Sequence, residues 1–228
     1  MAQVNVSRSI HAPAVVVFST VADISKVELL TEQQSMKTMH IFFFLLLFLP
    51  LTTVGQRTTE THMVMDFNQP ALVGEWAVVN DVVMGGVSSS TFSLTKNGTA
   101  IFQGVVSLDN NGGFASARSR PQSFNLREYQ GMRLRLRGDG KAYRLRLHTN
   151  YGFEGLAYQA NFDTVKDEWI TVDLPFTMFE ASFRGQKPKN APPFDPSAIR
   201  QIGFLIADKQ EGAFSLEIQN IEAYRINR

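Results

Sequence analysis

Two short clusters hold the side chains best suited to chemistry in this chain of 228 residues. The first, "NDVVMGG", spans 80–86, and the second, "DNNGGFAS", spans 109–116. Each sets amides and a carboxylate beside paired glycines: Gly85 and Gly86 in one, Gly112 and Gly113 in the other. If the two turns met in space, Asp81 and Asp109 would form a carboxylate pair, the minimum for general acid–base work. Asp109 is followed by amides and glycines rather than by a base, so the commoner outcome is Asx-turn bonding to local backbone. As a binding site the clusters offer more. Asn80, Asn110 and Asn111 supply donors and acceptors, and the glycines let a ligand or partner reach backbone amides. Trp76, Ser88, Ser116 and Arg118 flank whatever the turns present. The same residues also have a structural use, as tight bends over a core filled by Trp76, Met84 and Phe114.

Other chemistries lack their parts. There is no cysteine and hence no thiolate, disulfide or cysteine metal site. Of the four histidines, His11, His40 and His62 precede the expected domain. That leaves His148, which alone cannot build an imidazole metal site and reads as a solvated side chain. G-x-S-x-G, phosphate-loop and H-E-x-x-H patterns are missing. No catalytic residue, metal or cofactor is therefore expected. A formal net charge of +1 sets up no general field for nucleic acid, so charged recognition must be local.

The local charge lies in "MRLRLRGDGKAYRLRLH", spanning 132–148. Read as a hairpin turning at Gly138-Asp139-Gly140, it buries Leu134, Leu136, Leu145 and Leu147. Arg133, Arg135, Arg137, Arg144 and Arg146 then form one basic face. Like charges across strands are unfavourable, so that face needs counter-charges from Asp163, Asp173 or Glu217, or an anionic partner such as an acidic protein or lipid head groups. Arg137-Gly138-Asp139 spells an adhesion tripeptide that the turn explains without a receptor. Tyr151, Phe153, Tyr158 and Trp169 would make a sugar-stacking platform if exposed; large aromatics in a sandwich are more often core.

The elements positioning these residues are short aromatic and β-branched runs separated by turn signals. Strands are expected over 63–67, 75–79, 91–95, 99–108, 113–118, 131–137, 142–149, 157–162, 169–173, 201–206 and 214–224, with Asn97-Gly98 as a further hairpin turn. Helical periodicity is nearly absent, "FTMFEAS" and "DPSAIR" being the only candidates for a helical turn. The pattern predicts an all-β, antiparallel β-sandwich. The proline-rich segment 176–196 is expected to cross the surface, as a lid, a partner-binding element or a crossover between sheets.

Ahead of this domain, expected over 63–228, the chain changes idiom twice. Residues 1–35 read as a strand and a helix start, resembling the opening of the polyketide-cyclase and lipid-transfer superfamily over too short a span to close a pocket. They are read as a disordered extension. Residues 36–55 combine "MKTMH", the apolar run "IFFFLLLFLPL" and small residues, the parts of a signal peptide. That run is shorter than the roughly twenty residues that span a bilayer. Translation from Met36 would give an exported, periplasmic or secreted protein; otherwise the segment reads as a membrane anchor. Residues 56–62 read as a linker.

The order of motifs is itself distinctive. "WAVVNDVVMGGVSSSTF" from Trp76, "FQGVVSLDNNGGFASAR" from Phe102, "WITVDLPFTMF" from Trp169 and the closing "IGFLIADKQEGAFSLEIQNIEAY" together resemble the complex I intermediate-associated protein 30 family over about 64–226. The resemblance implies a galactose-binding-like jelly roll and an assembly or chaperone-like role toward respiratory NADH dehydrogenase subunits or membrane-associated assembly intermediates. A mitochondrial location follows from it by analogy alone. Some members join the domain to a nucleotide-binding domain, for which no glycine fingerprint exists here. The alternative is a secreted or periplasmic carbohydrate-binding module, and a third is an enzyme of unrecognised type.

Overall fold

The computed structural model describes residues 58–69, 75–152 and 155–227. The expected extension and signal-like segment lie outside them. No α-helix occurs among the described residues. The strands are β1 (Thr58–Asp66), β2 (Trp76–Asn80), β3 (Ser89–Leu94), β4 (Ala100–Val106), β5 (Ala115–Ser119), β6 (Gly131–Arg137), β7 (Ala142–His148), β8 (Ala157–Asp163), β9 (Trp169–Pro175), β10 (Glu180–Ser182), β11 (Gln201–Ile206) and β12 (Gly212–Asn227).

Two antiparallel sheets form a sandwich. The first runs β3-β4-β12-β6-β9, with β1 also on β12; the second runs β10-β8-β7-β11-β5-β2. The long strand β12 organises the first sheet. Its early residues pair with β4, from Gly212↔Val106 to Ile218↔Ala100, and its later ones with β1, from Asn220↔Asp66 to Asn227↔Thr58. This pairing recruits residues read as linker: β1 starts at Thr58, and Glu60 of β1 holds Arg225 of β12 at 2.8 Å. The core lies between the sheets. Phe67, Phe102, Leu134, Leu136, Leu145, Leu147, Ile202 and Phe204 are fully buried there.

The largest departure from expectation concerns β6 and β7. They do not form a hairpin, because β6 pairs with β12 and β9 in one sheet while β7 pairs with β8 and β11 in the other. Gly138-Asp139-Gly140 is a crossover between sheets. The four leucines do face the core, but from opposite walls. Asp139 secures the crossing by accepting hydrogen bonds from Lys141 N–H (3.1 Å), the Tyr143 hydroxyl (2.9 Å) and Ser215 N–H (3.0 Å). The adhesion-like tripeptide is thus used internally.

Segment 176–196 is also a crossover, from β9 to β11. Its "FTMFEAS" portion is a single 3-10 turn, Phe176–Met178, followed by the unforeseen edge strand β10. "DPSAIR" gives another such turn, Pro196–Ala198, capped by Asp195, whose carboxylate accepts from Ser197 N–H at 2.9 Å. Phe179 and Phe194 stack at 5.7 Å and pin the segment to the core beside Tyr158.

Candidate functional site

The two glycine-rich clusters meet, and the buried carboxylate of Asp81 is where they do so. One oxygen, Oδ1, accepts from Ser88 N–H at 2.9 Å; the other, Oδ2, accepts from the Ser88 hydroxyl, from Gly113 N–H at 2.7 Å and from Phe114 N–H at 3.2 Å. The Ser88 hydroxyl oxygen accepts in turn from Ser107 N–H at 2.9 Å, tying in the end of β4. Burial pushes the Asp81 carboxyl up, but the hydrogen bonds from Ser88, Gly113 and Phe114 outweigh it and hold the group below its usual range.

This lock explains the glycines. A Cβ on Gly86 would sit 2.4 Å from Asp81 Cγ, and one on Gly112 would sit 2.6 Å from Asp81 Oδ2. Gly85 ends the 3-10 turn Asp81–Met84 with φ of 91°, and Gly113 has φ of 128°, conformations that disfavour a side chain. Asn110 and Asn111, with φ of 54° and 60°, take the left-handed bend that asparagine tolerates, and their side chains are exposed. Asn80 accepts from the Ser90 hydroxyl at 2.6 Å, and the Ser116 hydroxyl donates to Val79 C=O at 2.6 Å. Asp109 is not brought into the Asp81 network; its backbone N–H bonds the Ser107 hydroxyl oxygen at 3.2 Å. The two carboxylates therefore form no acid–base pair, and Asp81 spends its lone pairs on its own chain.

What the lock presents is apolar. Val82, Val83 and Met84 are 62%, 71% and 72% exposed, and Val87 beside them is also exposed. Met84 thus points out rather than filling space beneath. Trp76, at the far end of β2 from the turn, packs on the core instead, stacked on Phe92 at 4.1 Å and near Phe204 at 6.0 Å. The sequence signal for this apex was legible as "VVM" between polar and glycine residues, but its outward direction was not.

The expected single basic face does not exist. Arg133, Arg135 and Arg137 lie on the outer side of the first sheet, and Arg144 and Arg146 on that of the second. Their counter-charges are largely local. Arg133 grips Asp173 through two hydrogen bonds of 2.6 and 2.7 Å, Arg137 pairs with Glu217, and Arg144 pairs with Asp208, not with Asp163. Arg135 donates to Trp169 C=O at 3.2 Å, and both Arg135 and Arg137 lie over the Trp169 ring. Arg118 is buried on the second sheet rather than flanking the turns in solvent.

Of the aromatic platform, Tyr158 is core and Trp169 is covered by arginines. Tyr151 is exposed, with Arg200 over its ring at 5.5 Å, and Phe153 lies outside the described residues. His148 is buried rather than solvated, and its pKa falls to about 2 through burial and then the charges of Arg118 and Arg146.

The sequence profile of the complex I intermediate-associated protein 30 family matches residues 65–218, a span that includes the whole Asp81 lock. The chain belongs to the complex I intermediate-associated protein 30 family. A relative from Drosophila melanogaster, named complex I intermediate-associated protein 30, mitochondrial, is 26% identical over 187 residues, covering 72% of this chain and 63% of its own length. The Mus musculus protein of the same name is 25% identical, covering 72% and 56%. The chain therefore spans less than two-thirds of the length of these curated relatives. Both are named mitochondrial, which corrects the expectation of an exported or simply membrane-associated protein. No helix among the described residues is long and apolar enough to cross a membrane.

The sandwich has the fold of carbohydrate-binding modules among solved structures. The family 11 carbohydrate-binding module of a Clostridium thermocellum cellulosomal cellulase superposes with a TM-score of 0.55 at 17% identity, covering 73% of this chain and 95% of the module. The same type of module in complex with a β-1,3-1,4-linked tetrasaccharide gives 0.52 at 16% identity. At such identity the likeness is one of fold.

Proposed function

We propose that this domain is a non-catalytic protein-binding factor that holds partly assembled subunits of respiratory NADH dehydrogenase. The observation carrying this reading is the Asp81-locked turn, which holds Val82, Val83 and Met84 in solvent. Apolar side chains on a rigid polar base cost little ordering entropy on binding, and an exposed apolar apex is suited to another apolar protein surface. Subunits awaiting their neighbours expose such surfaces. The carboxylate beneath is consumed by its own hydrogen bonds, so the site holds and does not transform. Membership of a family named for complex I intermediates supports the choice of client.

The test is affinity capture of the tagged protein from mitochondria, with and without Val83→Asp and Met84→Asp together. Recovery of NADH dehydrogenase subunits by the parent and their loss in the variant is expected; equal recovery would sink the reading. Exposed Tyr151 supports carbohydrate binding as a second reading. It requires that a β-1,3-1,4-linked tetrasaccharide bind the parent and bind Tyr151→Ala more weakly.

A further inference from the structure

Across the centre of the second sheet, a glycine separates two arginines. Gly203 of β11 is in register with Arg118 of β5 on one side and with Arg146 of β7 on the other. Ala117, Phe204 and Leu145 of these strands belong to the core. By strand alternation Arg118, Gly203 and Arg146 share the opposite, outer face, together with Gln201 and His148, which are themselves paired. Gly203 puts no side chain between the two guanidinium stems.

The surroundings are enclosed and positive. Arg118, His148 and Gln201 are only 8%, 2% and 1% exposed. Arg118 Nη1 donates to Gln201 Oε1 at 3.4 Å and to Gly152 C=O at 3.5 Å, so the loop after β7 covers this end. Arg146 differs from its neighbour Arg144, which pairs with Asp208. The charges that act on Arg146 are those of Arg118 and Arg144, both of its own sign. Its buried Nε–H has no hydrogen-bond partner, nor has the buried Nδ1 of His148. Burial, reinforced by these two arginines, lowers the Arg146 pKa to about 10.

A half-enclosed guanidinium set beside other arginines, with its Nε–H unpartnered, is unfavourable unless an anion completes it. Arginine is also the side chain whose fork of donors matches two oxygens of one group. We propose that the outer face of β5, β11 and β7 is a binding site for a small oxyanion, a carboxylate or phosphate, gripped by Arg146 and Arg118 across the Gly203 gap. This site is separate from the apolar turn, and it stands or falls independently of the client reading. With Arg118, His148 and Gln201 this buried, the expected ligand is a small group or one protruding from a larger ligand, rather than a flat charged surface.

The experiment titrates the full chain, in buffer free of phosphate and carboxylates, with inorganic phosphate and separately with acetate at matched ionic strength. Calorimetry should show saturable one-site binding of at least one probe, and the preferred probe names the oxyanion class. Arg146→Gln should weaken that binding by about tenfold or more, the loss of a charge-assisted hydrogen bond. The same variant should melt no lower than the parent in probe-free buffer, because it removes a charge held beside other arginines with its Nε–H unpartnered; a role confined to structure would lower its melting point. Nitrogen-15 NMR of the Arg146 Nε–H in the parent protein decides without relying on any variant. A saturable shift of that signal supports the site. Binding of neither probe, binding unaltered by Arg146→Gln, or an unmoved Nε–H signal at saturating probe overturns it.

Discussion

The Asp81 carboxylate accepts the backbone N–H of Gly113 at 2.7 Å, so the first glycine-rich turn is held by the second across 32 positions of sequence. Neither turn is fixed by its local sequence alone. Asp81→Ala would leave the buried N–H groups of Ser88 and Gly113 without their acceptor, at a cost of about 3 kcal/mol. For a domain of this size, calorimetry should then record a melting temperature lower by roughly 6–12 °C. Gly86→Ala should also destabilise, by forcing a methyl group against the same carboxylate.

The lock also predicts an acid response. Its hydrogen bonds hold the folded-state pKa of Asp81 below the unfolded value of about 3.9. The contribution to stability is therefore complete above that unfolded value and disappears as pH falls through the lower folded one. Acid titration monitored by circular dichroism should show a transition that Asp81→Asn largely lacks.

His148 predicts a second pH dependence, in a higher window. Its folded pKa, about 2, lies below the ordinary histidine value of 6.5. The unfolded chain takes up the proton first, so stability is greatest above about pH 6.5 and declines as pH falls toward the folded value. Melting temperatures measured from about pH 7 to about pH 5 should fall more steeply for the parent than for His148→Leu. Equal slopes would remove His148 from the account.

Arg135 and Arg144 lie on different sheets and touch different partners, Trp169 and Thr171 for one, Asn161 and Asp208 for the other. Charge reversal at each should cost about 1–2 kcal/mol, since both side chains are half-buried and each loses hydrogen bonds to its neighbours. The effects in Arg135→Glu with Arg144→Glu should add, because no shared partner couples them. Client capture should survive both, in contrast to its loss in the Val83 and Met84 variant.

Strand composition and turn chemistry alone determined that this is an all-β sandwich, and β6 and β11 have the bounds that alternation predicts. The motif order pointed to the family. Alternation also told which side of each strand is buried, as Leu134, Leu136, Leu145 and Leu147 show. It could not tell strands that pair within a sheet from strands that face each other across the core, since both bury every second residue. Only tertiary structure decided that β6 and β7 stand in opposite walls, which divided the arginines and left Arg146 facing its own sign. The clusters around Asp81 and Asp109 were equally visible as tight turns. That one carboxylate locks both turns, while the other stays outside and Met84 faces solvent, depends on hydrogen bonds between distant segments. No local pattern encodes those, because the partners become neighbours only when β2 and β5 pair.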